Sequence, residues 1–386
     1  MDAKTYLTKK SFCVLPWTGV YIQPNGDVRN CAVTKDILGN INNDPLEGIL
    51  VGSINTEIKT EMLGDVMRPA CGQCHRLESN QKNHFDQVSN RIWYIKKLKN
   101  TNLSVFDDPK TFQLRMLDLR WKNTCNFACV YCDADLSSRW ATELKKPQRI
   151  ESDALLKSLD YIYSNLNNVE HIYLAGGEPL LIQENLVLLE KMLVINPNVE
   201  LRINTNLSIV NNEIYKLIQK FKNVHWTISV DNMGKDFEYL RYGGEWDTFV
   251  KNLKILSEDF NTINFNAVWC VLNSKSVFDC IDYLVNTLGY HENTIIVNPL
   301  EMPLWLDVNN LPEPYLDTLR DELRRRISQA NPHYCLYNSL YLMLKYIDKP
   351  NFVKNLQASV VELEKIDQRR NLNSKLIFPE IYQCSK

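Results

Sequence analysis

The sequence predicts an α/β fold, in which a parallel sheet covered by helices follows a small domain organised by metal. From Gln113 onward, strand-like runs alternate six times with amphipathic helical stretches. The first 85 residues are instead rich in Gly, Asn and Pro, contain only short apolar runs and hold four cysteines. Because parallel strands are joined by right-handed crossovers, the alternation places the helices outside the sheet.

Six segments rich in Ile, Val, Leu and aromatic residues are predicted as the strands of this sheet. They are residues 114–121, 171–175, 199–204, 225–230, 263–272 and 294–298. Apolar residues at spacings of three and four predict helices between them, for example over residues 155–166, 214–221 and 277–284.

The predicted organisation has four parts, which a chain of 386 residues can accommodate. Residues 1–85 form the small metal domain, 86–112 a helical connector, 113–330 the sheet with its helices, and 331–386 a mainly helical tail. In the first part, metal ligation would replace the buried apolar area that a short segment rich in Gly and Asn lacks.

Composition is typical of a folded protein and disfavours several partners. Hydrophobic residues make up 45% and charged residues 23%, with a net charge of −2. No run of about five Lys or Arg residues indicates a nucleic-acid surface or a polybasic membrane patch. No secretory hydrophobic region or apolar stretch of ~18 residues is present, so we expect a cytoplasmic protein. Eleven cysteines in a reducing compartment are expected to bind metal or do redox chemistry, not to form disulfides.

The decisive segment follows the first of the six predicted strands and reads Cys125-Asn-Phe-Ala-Cys129-Val-Tyr-Cys132. Three thiolates at this spacing can hold one face of a [4Fe–4S] cluster and leave one iron without a protein ligand. A substrate-like molecule can bind that open iron, whereas a four-cysteine site is closed and suits electron transfer or structure. A zinc site, or a closed cluster completed by a distant cysteine, is the alternative interpretation.

This segment resembles the signature of the radical S-adenosylmethionine (SAM) superfamily, in which an aromatic residue precedes the last cysteine. The resemblance implies a partial (β/α)6 TIM-like barrel, a cluster held by Cys125, Cys129 and Cys132, and SAM bound to the open iron. It also implies reductive cleavage of SAM and hydrogen abstraction from a substrate by a 5′-deoxyadenosyl radical. By the same resemblance, Tyr131 is expected near the adenine.

A second motif follows the next predicted strand and reads Gly176-Gly177-Glu178-Pro179. Two glycines let a backbone approach a ligand closely, and a neighbouring carboxylate can receive an ammonium group. The segment resembles the GGEP motif of the same superfamily, which binds the methionine amino group of SAM. Taken alone, these residues are also typical of an ordinary turn.

Polar residues close the third and fourth predicted strands: Thr205 and Asn206 in one, Ser229 and Asp231 in the other. In the superfamily, residues at such strand ends contact the ribose or the carboxylate of SAM, and barrel enzymes build their sites at this face. The alternative is that Ser and Asp end the strand and cap the helix that follows.

The amino-terminal part supplies Cys13, Cys31, Cys71 and Cys74, with Gly26 in a turn between the first two. This pattern resembles the SPASM or shortened twitch domain of radical SAM maturases, in which such cysteines hold an auxiliary [4Fe–4S] cluster. In those proteins the auxiliary domain normally follows the barrel, whereas here it precedes it. A structural zinc site with four thiolates is the alternative.

Two further cysteines lie in the predicted barrel. Cys280 shares a helix face with Val277, Ile281 and Leu284, which predicts burial as a small apolar residue. Cys270 falls on the fifth predicted strand, where packing is favoured and a hydrogen-donor role toward a substrate radical is the alternative.

The sequence thus predicts a radical SAM enzyme that acts on a peptide or protein side chain, with the auxiliary cluster as electron relay or substrate anchor. A small-molecule dehydrogenase or lyase is one alternative, and a non-catalytic iron–sulfur or zinc protein is another. The expected cofactors are two [4Fe–4S] clusters and SAM. The expected partners are the substrate and an electron donor such as flavodoxin or ferredoxin, with no nucleic acid and no membrane.

Overall fold

A computed structural model describes residues 9–79, 89–97, 103–146, 152–347 and 352–385 of the chain. Its strands form a mostly parallel sheet with helices. They are β1 (Gly19–Ile22), β2 (Asp27–Arg29), β3 (Gly39–Asn40), β4 (Met116–Leu119), β5 (His171–Leu174), β6 (Glu200–Thr205), β7 (Asn223–Ser229), β8 (Ile263–Trp269) and β9 (Ile295–Pro299).

The α-helices of the described residues fall into three groups along the chain. Before β4 they are α1 (Leu15–Thr18), α2 (Leu46–Leu50), α3 (Ser53–Leu63), α4 (Gly72–Ser79) and α5 (Asn90–Lys97). Between β4 and β9 they are α6 (Ser138–Glu143), α7 (Ser152–Ser164), α8 (Gln183–Ile195), α9 (Glu213–Ile218), α10 (Gly234–Leu240), α11 (Trp246–Asp259) and α12 (Ser276–Asp282). After β9 they are α13 (Glu313–Gln329), α14 (Cys335–Ile347), α15 (Leu356–Arg370), α16 (Ser374–Ile377) and α17 (Pro379–Cys384).

The chain divides into two compact units. The first unit comprises Met1–Asn126, Ala134–Thr205 and Asn211–Trp226. The second unit comprises Phe127–Asp133, Asn206–Val210 and Thr227–Lys386. Strand β7 therefore begins in the first unit and ends in the second.

In the first unit the strand order is β3-β2-β1-β4-β5-β6-β7. Strands β1, β2 and β3 form antiparallel pairs. Strand β1 also pairs with β4 in parallel, and β4, β5 and β6 continue that parallel arrangement. The cysteine-rich amino-terminal segment therefore shares one sheet with the first barrel strands, a feature that periodicity alone does not predict.

In the second unit β7, β8 and β9 follow one another, and β8 pairs with β9 in parallel. Strand β8 alternates buried and partly exposed residues along its length, as expected of a strand with two different faces. Ile263, Phe265, Ala267 and Trp269 form its buried face. The core of this unit therefore lies on one side of the strand.

The structure confirms all six strands predicted in the barrel region, although each is shifted or shortened by a few residues. One shift changes the setting of Cys270, which was predicted on the fifth of these strands. Strand β8 ends at Trp269, and Cys270 is a fully buried residue that begins a 3₁₀ turn. Cys280 is buried as predicted.

The boundaries predicted for the four parts of the chain stay a prediction. Parts of the predicted connector and tail lie outside the described residues. Among the described residues, no helix is both long enough and apolar enough to cross a membrane.

Candidate active site

The four amino-terminal cysteines line one cavity in the first unit. We call Cys13, Cys31, Cys71 and Cys74 the auxiliary quartet. The cavity encloses about 500 Å³ of space free of protein atoms, part of it open to solvent. Within the described residues, no three Cys, His, Asp or Glu side chains converge closely enough to hold a single metal ion. The quartet therefore surrounds a space and does not meet at one point.

Backbone N–H groups lie beside the sulfur atoms of Cys31 and Cys74. The N–H groups of Val33 and Thr34 stabilise the thiolate form of Cys31. Those of Asn90 and Arg91, at the start of α5, do the same for Cys74. Hydrogen bonds to thiolate sulfurs are a common means of tuning an iron–sulfur cluster. The loop after Cys31 and the start of α5 thus supply the donors that such a cluster uses.

Burial makes the free thiolates of the quartet unfavourable. It raises the pKa of Cys13 well above its usual range, and the neighbouring Cys31 raises it further. Burial likewise raises the pKa of Cys31 to about 12 and that of Cys71 to about 11. Thiolates gathered in such a place need a bound cation to offset their charge. The quartet therefore fits a metal cluster by the chemistry of its donors.

The GGEP loop, residues 176–179, is pressed against the residues that precede Cys125 in the first unit. The N–H of Glu178 donates to the carbonyl oxygen of Thr124 at 2.7 Å. A Cβ atom on Gly177 would lie 2.2 Å from that same oxygen, and Gly176 has a φ of +98°. Since no side chain fits at 177 and an L-residue rarely adopts such a φ, both glycines are required by the packing of this loop.

The Glu178 carboxylate is fully buried and bonded within the first unit. Its Oε1 accepts from the hydroxyl of Thr205 at 2.8 Å and from the N–H of Leu180 at 3.2 Å. Pro179 begins the short turn that follows. The structure therefore brings two of the predicted SAM-binding residues, Glu178 and Thr205, into direct contact.

Ser138 holds the backbone of Cys125, a role that no motif in the sequence indicated. The N–H of Cys125 donates to the Ser138 hydroxyl at 3.0 Å, and this hydroxyl donates to the Cys125 carbonyl at 3.1 Å. Ser138 opens α6 directly after Ser137, whose side chain caps that helix. The only available signal was a pair of serines that could begin a helix.

The rest of the signature loop, residues 125–132, belongs to the second unit from residue 127 onward. There the N–H groups of Ala128 and Val130 donate to the carbonyls of Tyr242 and Leu240, each at 2.8 Å. The N–H of Cys132 donates to the carbonyl of Cys129 at 2.9 Å. The loop segment that carries Cys129 and Cys132 is thus fixed by the end of α10.

Tyr131 and Asp231, both predicted near SAM, meet in the second unit. The Tyr131 hydroxyl donates to Asp231 Oδ2 at 2.6 Å. Arg241 donates to the same oxygen at 2.9 Å and also contacts the Tyr131 hydroxyl. The other oxygen of Asp231 accepts from the N–H of Val268 at 2.8 Å. Arg241 was missed in the sequence, because an isolated Arg after a helix matches no motif.

These contacts give Asp231 a structural role inside the second unit. It is buried to 1% exposure and both carboxylate oxygens accept from protein donors. Asn206, another predicted SAM contact, accepts at its side-chain oxygen from the N–H of Ser208 at 2.9 Å. Ser229 ends β7. Contacts of these three residues with SAM stay predictions.

Comparison with known proteins gives family matches for two stretches of the chain. Residues 120–284 match the radical SAM superfamily, and residues 13–75 match an iron–sulfur cluster-binding domain called SPASM. These matches imply a [4Fe–4S] cluster and SAM as cofactors. The second match contains the whole auxiliary quartet.

Two curated proteins are similar over part of their length. An uncharacterized protein of Methanocaldococcus jannaschii is 29% identical over 126 residues, which is 31% of this chain and 40% of that protein. The GTP 3′,8-cyclase of Streptomyces coelicolor is 30% identical over 91 residues, which is 23% of this chain and 26% of that enzyme. The matches thus span less than half of each relative.

Two solved structures are also similar. The enzyme anSMEcpe with bound AdoMet gives a TM-score of 0.41 at 15% identity, covering 57% of this chain and 62% of that one. Streptococcus suis SuiB bound to S-adenosylmethionine gives 0.40 at 17% identity, covering 72% and 60%. Each alignment covers less than two thirds of the solved chain.

The family matches fall on the segments that carry the two sets of cysteines and the GGEP loop. The chain therefore contains a radical SAM domain over residues 120–284, preceded by a SPASM iron–sulfur cluster-binding domain over residues 13–75.

Proposed function

We propose that this radical SAM enzyme abstracts a hydrogen atom from a peptide or protein side chain, with the signature loop and the GGEP loop as its SAM site. In this proposal Cys125, Cys129 and Cys132 hold the catalytic cluster and the auxiliary quartet holds a second one. The SPASM match supports the choice of substrate, because the auxiliary domain resembles that of maturases. When bound, the catalytic cluster would supply the one electron that cleaves SAM to methionine and the 5′-deoxyadenosyl radical, and the auxiliary cluster would serve as electron relay or substrate anchor.

One observation carries the location of the SAM site. The GGEP loop donates a hydrogen bond to Thr124 and leaves no room for a side chain at Gly177. Thr124 is the residue before Cys125. Two strand-end loops, one after β4 and one after β5, are therefore held against each other at the point where a cluster ligand begins. Such an arrangement suits a molecule that contacts both loops.

The protein residues of this site have separate tasks. Ser138 holds the backbone of Cys125, and Glu178 holds the turn after β5 through Thr205 and Leu180. The buried Glu178 carboxylate also provides negative charge beside the two glycines, where an ammonium group would gain a charge-assisted contact. We propose that Glu178, Gly176 and Gly177 bind the amino group of SAM in this way.

Tyr131 and Asp231 act together in the second unit. Their hydrogen bond, with Arg241 as the third partner, fixes the side chain of Tyr131, which precedes Cys132 in the sequence. We propose that this network orients the signature loop, so that Tyr131 presents its ring toward the adenine. The proposal also includes a cytoplasmic location and an external donor of electrons such as flavodoxin or ferredoxin.

A small-molecule substrate is the second candidate function. It is supported by the similarity to a GTP 3′,8-cyclase, a relative whose name refers to a nucleotide. The match covers only 26% of that enzyme, so it bears on the SAM chemistry more than on the substrate. For this reason the peptide substrate is preferred.

The test of the SAM site is anaerobic reconstitution with iron and sulfide, followed by dithionite and SAM. The expected product is 5′-deoxyadenosine, formed slowly without substrate. A Ser138→Ala variant should form less 5′-deoxyadenosine, because the Cys125 backbone loses its two hydrogen bonds to the Ser138 hydroxyl. A reconstituted protein that binds about four irons per catalytic cluster yet forms no 5′-deoxyadenosine would contradict the proposal.

A further inference from the structure

A row of polar side chains crosses one face of the sheet in the first unit. Tyr21 on β1 is paired with Asp118 on β4, Asp118 with Tyr173 on β5, and Tyr173 with Arg202 on β6. Side chains at paired positions of neighbouring strands point to the same face. Arg120 lies two residues after Asp118 and so continues this face toward the GGEP loop.

Arg120 is held over two aromatic rings. Its guanidinium lies 5.1 Å from the ring centre of Tyr21 and 5.6 Å from that of Tyr173. Its Nε and Nη2 donate to the two oxygens of Asp118 at 3.0 and 3.3 Å. Both oxygens of Asp118 are thus engaged, while Nη1 of Arg120 has no hydrogen-bond partner among the described residues.

Helix α5 adds a third tyrosine to this face. Trp93 lies 4.4 Å beneath the guanidinium of Arg202 and 4.6 Å from the ring of Tyr94. The Tyr94 ring lies 6.5 Å from the ring of His171, which shares its face of β5 with Tyr173, and burial raises the pKa of the Tyr94 phenol. Since the start of α5 donates to Cys74, this one helix contacts both the quartet and the polar row.

The hydroxyls of Tyr21, Tyr94 and Tyr173 have no hydrogen-bond partner within the described part of the chain. Neither these oxygens nor Nη1 of Arg120 belong to the fully buried side-chain atoms that lack a partner, so a ligand can reach them. These three hydroxyls and the free Nη1 of Arg120 are therefore available hydrogen-bond donors, while both oxygens of the neighbouring Asp118 are already bonded. A ligand that binds these donors must carry hydrogen-bond acceptors.

We propose that Tyr21, Tyr94, Arg120, Tyr173 and Arg202, the tyrosine–arginine cluster, bind a carboxylate of the substrate, while Asp118 holds Arg120 in place. The free Nη1 of Arg120 and the tyrosine hydroxyls are donors that a carboxylate oxygen can accept from, whereas Nε of Arg202 is already bonded to Glu200. A doubly charged phosphate is a poorer match, because Asp118 already neutralises part of the Arg120 charge. The inference rests on the proposed peptide substrate and narrows it to one with an acidic side chain.

The position of the cluster suits this role. A Cβ atom on Gly176 would lie 3.0 Å from the Cα of Arg120, so the cluster adjoins the proposed SAM loop. Helix α5 carries Tyr94 and begins with the residues whose N–H groups reach Cys74. A carboxylate bound here would be held between the GGEP loop and the auxiliary quartet, within the same compact unit. The cluster would anchor the substrate without touching the reacting atoms.

The test uses the reconstituted full chain with SAM and fluorescein-labelled peptide pools that differ only in a central Glu or Gln. Fluorescence anisotropy is expected to show the Glu pool binding at least about tenfold more tightly, as a charge-assisted contact provides. The double variant Arg120→Gln/Asp118→Asn, which leaves no unpaired charge, should bring the two pools within about twofold of each other.

A second variant distinguishes the loss of hydrogen-bond donors from a loss of folding. Tyr94→Phe/Tyr173→Phe keeps the rings and removes only two hydroxyls, and it should lower the preference for Glu at least about threefold. The controls are Tyr341→Phe and Arg324→Gln, two exposed side chains on α14 and α13, which should leave the preference unchanged.

Equal affinity of the two pools for the wild type, no measurable binding of either, or tighter binding of a phosphoserine pool would each overturn the carboxylate proposal. Formation of 5′-deoxyadenosine is measured separately in the same samples. A protein that cleaves SAM but shows no preference for Glu would contradict this inference alone and leave the proposed function standing.

Discussion

The two cysteine regions of this chain are built in different ways. The signature loop draws its three cysteines from one run of sequence, residues 125–132. The auxiliary quartet gathers one cysteine before β1, one after β2 and two around the start of α4, and the fold brings them to one cavity. The first site depends on local spacing, whereas the second depends on the packing of a whole segment.

This contrast predicts different responses to mutation. A loop with closely spaced ligands loses its chemistry when the ligands are removed, but the surrounding fold should persist. A site assembled from distant segments ties its metal to the folding of those segments, since metal binding free energy is then folding free energy.

The largest effect is expected from replacing Cys125, Cys129 and Cys132 together by Ala. Formation of 5′-deoxyadenosine under dithionite should fall to background, because the proposed catalytic cluster has no remaining ligand. The auxiliary quartet should still bind its metal. Undiminished 5′-deoxyadenosine in this triple variant would show that the signature loop is not the catalytic site.

The next effect concerns the contacts behind the signature loop. Asp231→Asn removes a buried carboxylate from Arg241, which is itself buried to 5% exposure. Leaving such a charge unpaired costs about 3–5 kcal/mol of the free energy of unfolding. The matched control is Asp321→Asn, an exposed carboxylate on α13 paired with Arg324, where about 0.5 kcal/mol or less is expected. Urea denaturation measures both, and equal effects would remove the structural role of Asp231.

A smaller effect is expected at the GGEP loop. Gly177→Ala forces a Cβ against the carbonyl of Thr124 and should lower the free energy of unfolding by about 1–3 kcal/mol. Gly48→Ala is the control, because its Cβ would meet no atom within 4 Å and the residue lies in α2. This control should be neutral or slightly stabilising. If the two variants unfold alike, the loop is not packed against Thr124.

The effect predicted for Glu178→Gln falls on SAM binding and not on folding. Loss of the carboxylate should weaken SAM binding about ten- to a hundredfold, since a charge-assisted contact to an ammonium contributes ~1.5–3 kcal/mol. The electron paramagnetic resonance signal of the reduced cluster, followed during titration with SAM, measures this. Unchanged affinity together with a lower unfolding temperature would restrict Glu178 to holding Thr205 and Leu180.

Much of the barrel could be predicted from the sequence, because its strands are short apolar runs between periodic helices. The six predicted strands are present as β4 to β9. The strands β1 to β3 escaped prediction, since they have two to four residues and lie among Gly and Asn. The parallel pairing of β1 with β4 joins segments that are far apart in the sequence, and local sequence patterns cannot predict such a pairing.

In the candidate site, too, some residues could be predicted from the sequence and others could not. The cysteines and the GGEP loop are visible as motifs, because their chemistry depends on residue type and spacing. Ser138 and Arg241 are visible only in the structure, since each acts through hydrogen bonds to residues of its own unit that no sequence motif connects to it. The hydrogen bonds of Asp231 to Tyr131, Arg241 and Val268 also depend on the fold, whereas the sequence suggested only a contact with SAM.

The central claim is that the chain holds two iron–sulfur clusters, one in each cysteine region. Iron and zinc analysis of the anaerobically reconstituted wild type and of the Cys13→Ala/Cys31→Ala/Cys71→Ala/Cys74→Ala variant tests it most directly. The account predicts about eight irons in the wild type and about four in the variant, with no stoichiometric zinc. About four irons with one zinc in the wild type, and loss of the zinc alone in the variant, would contradict it.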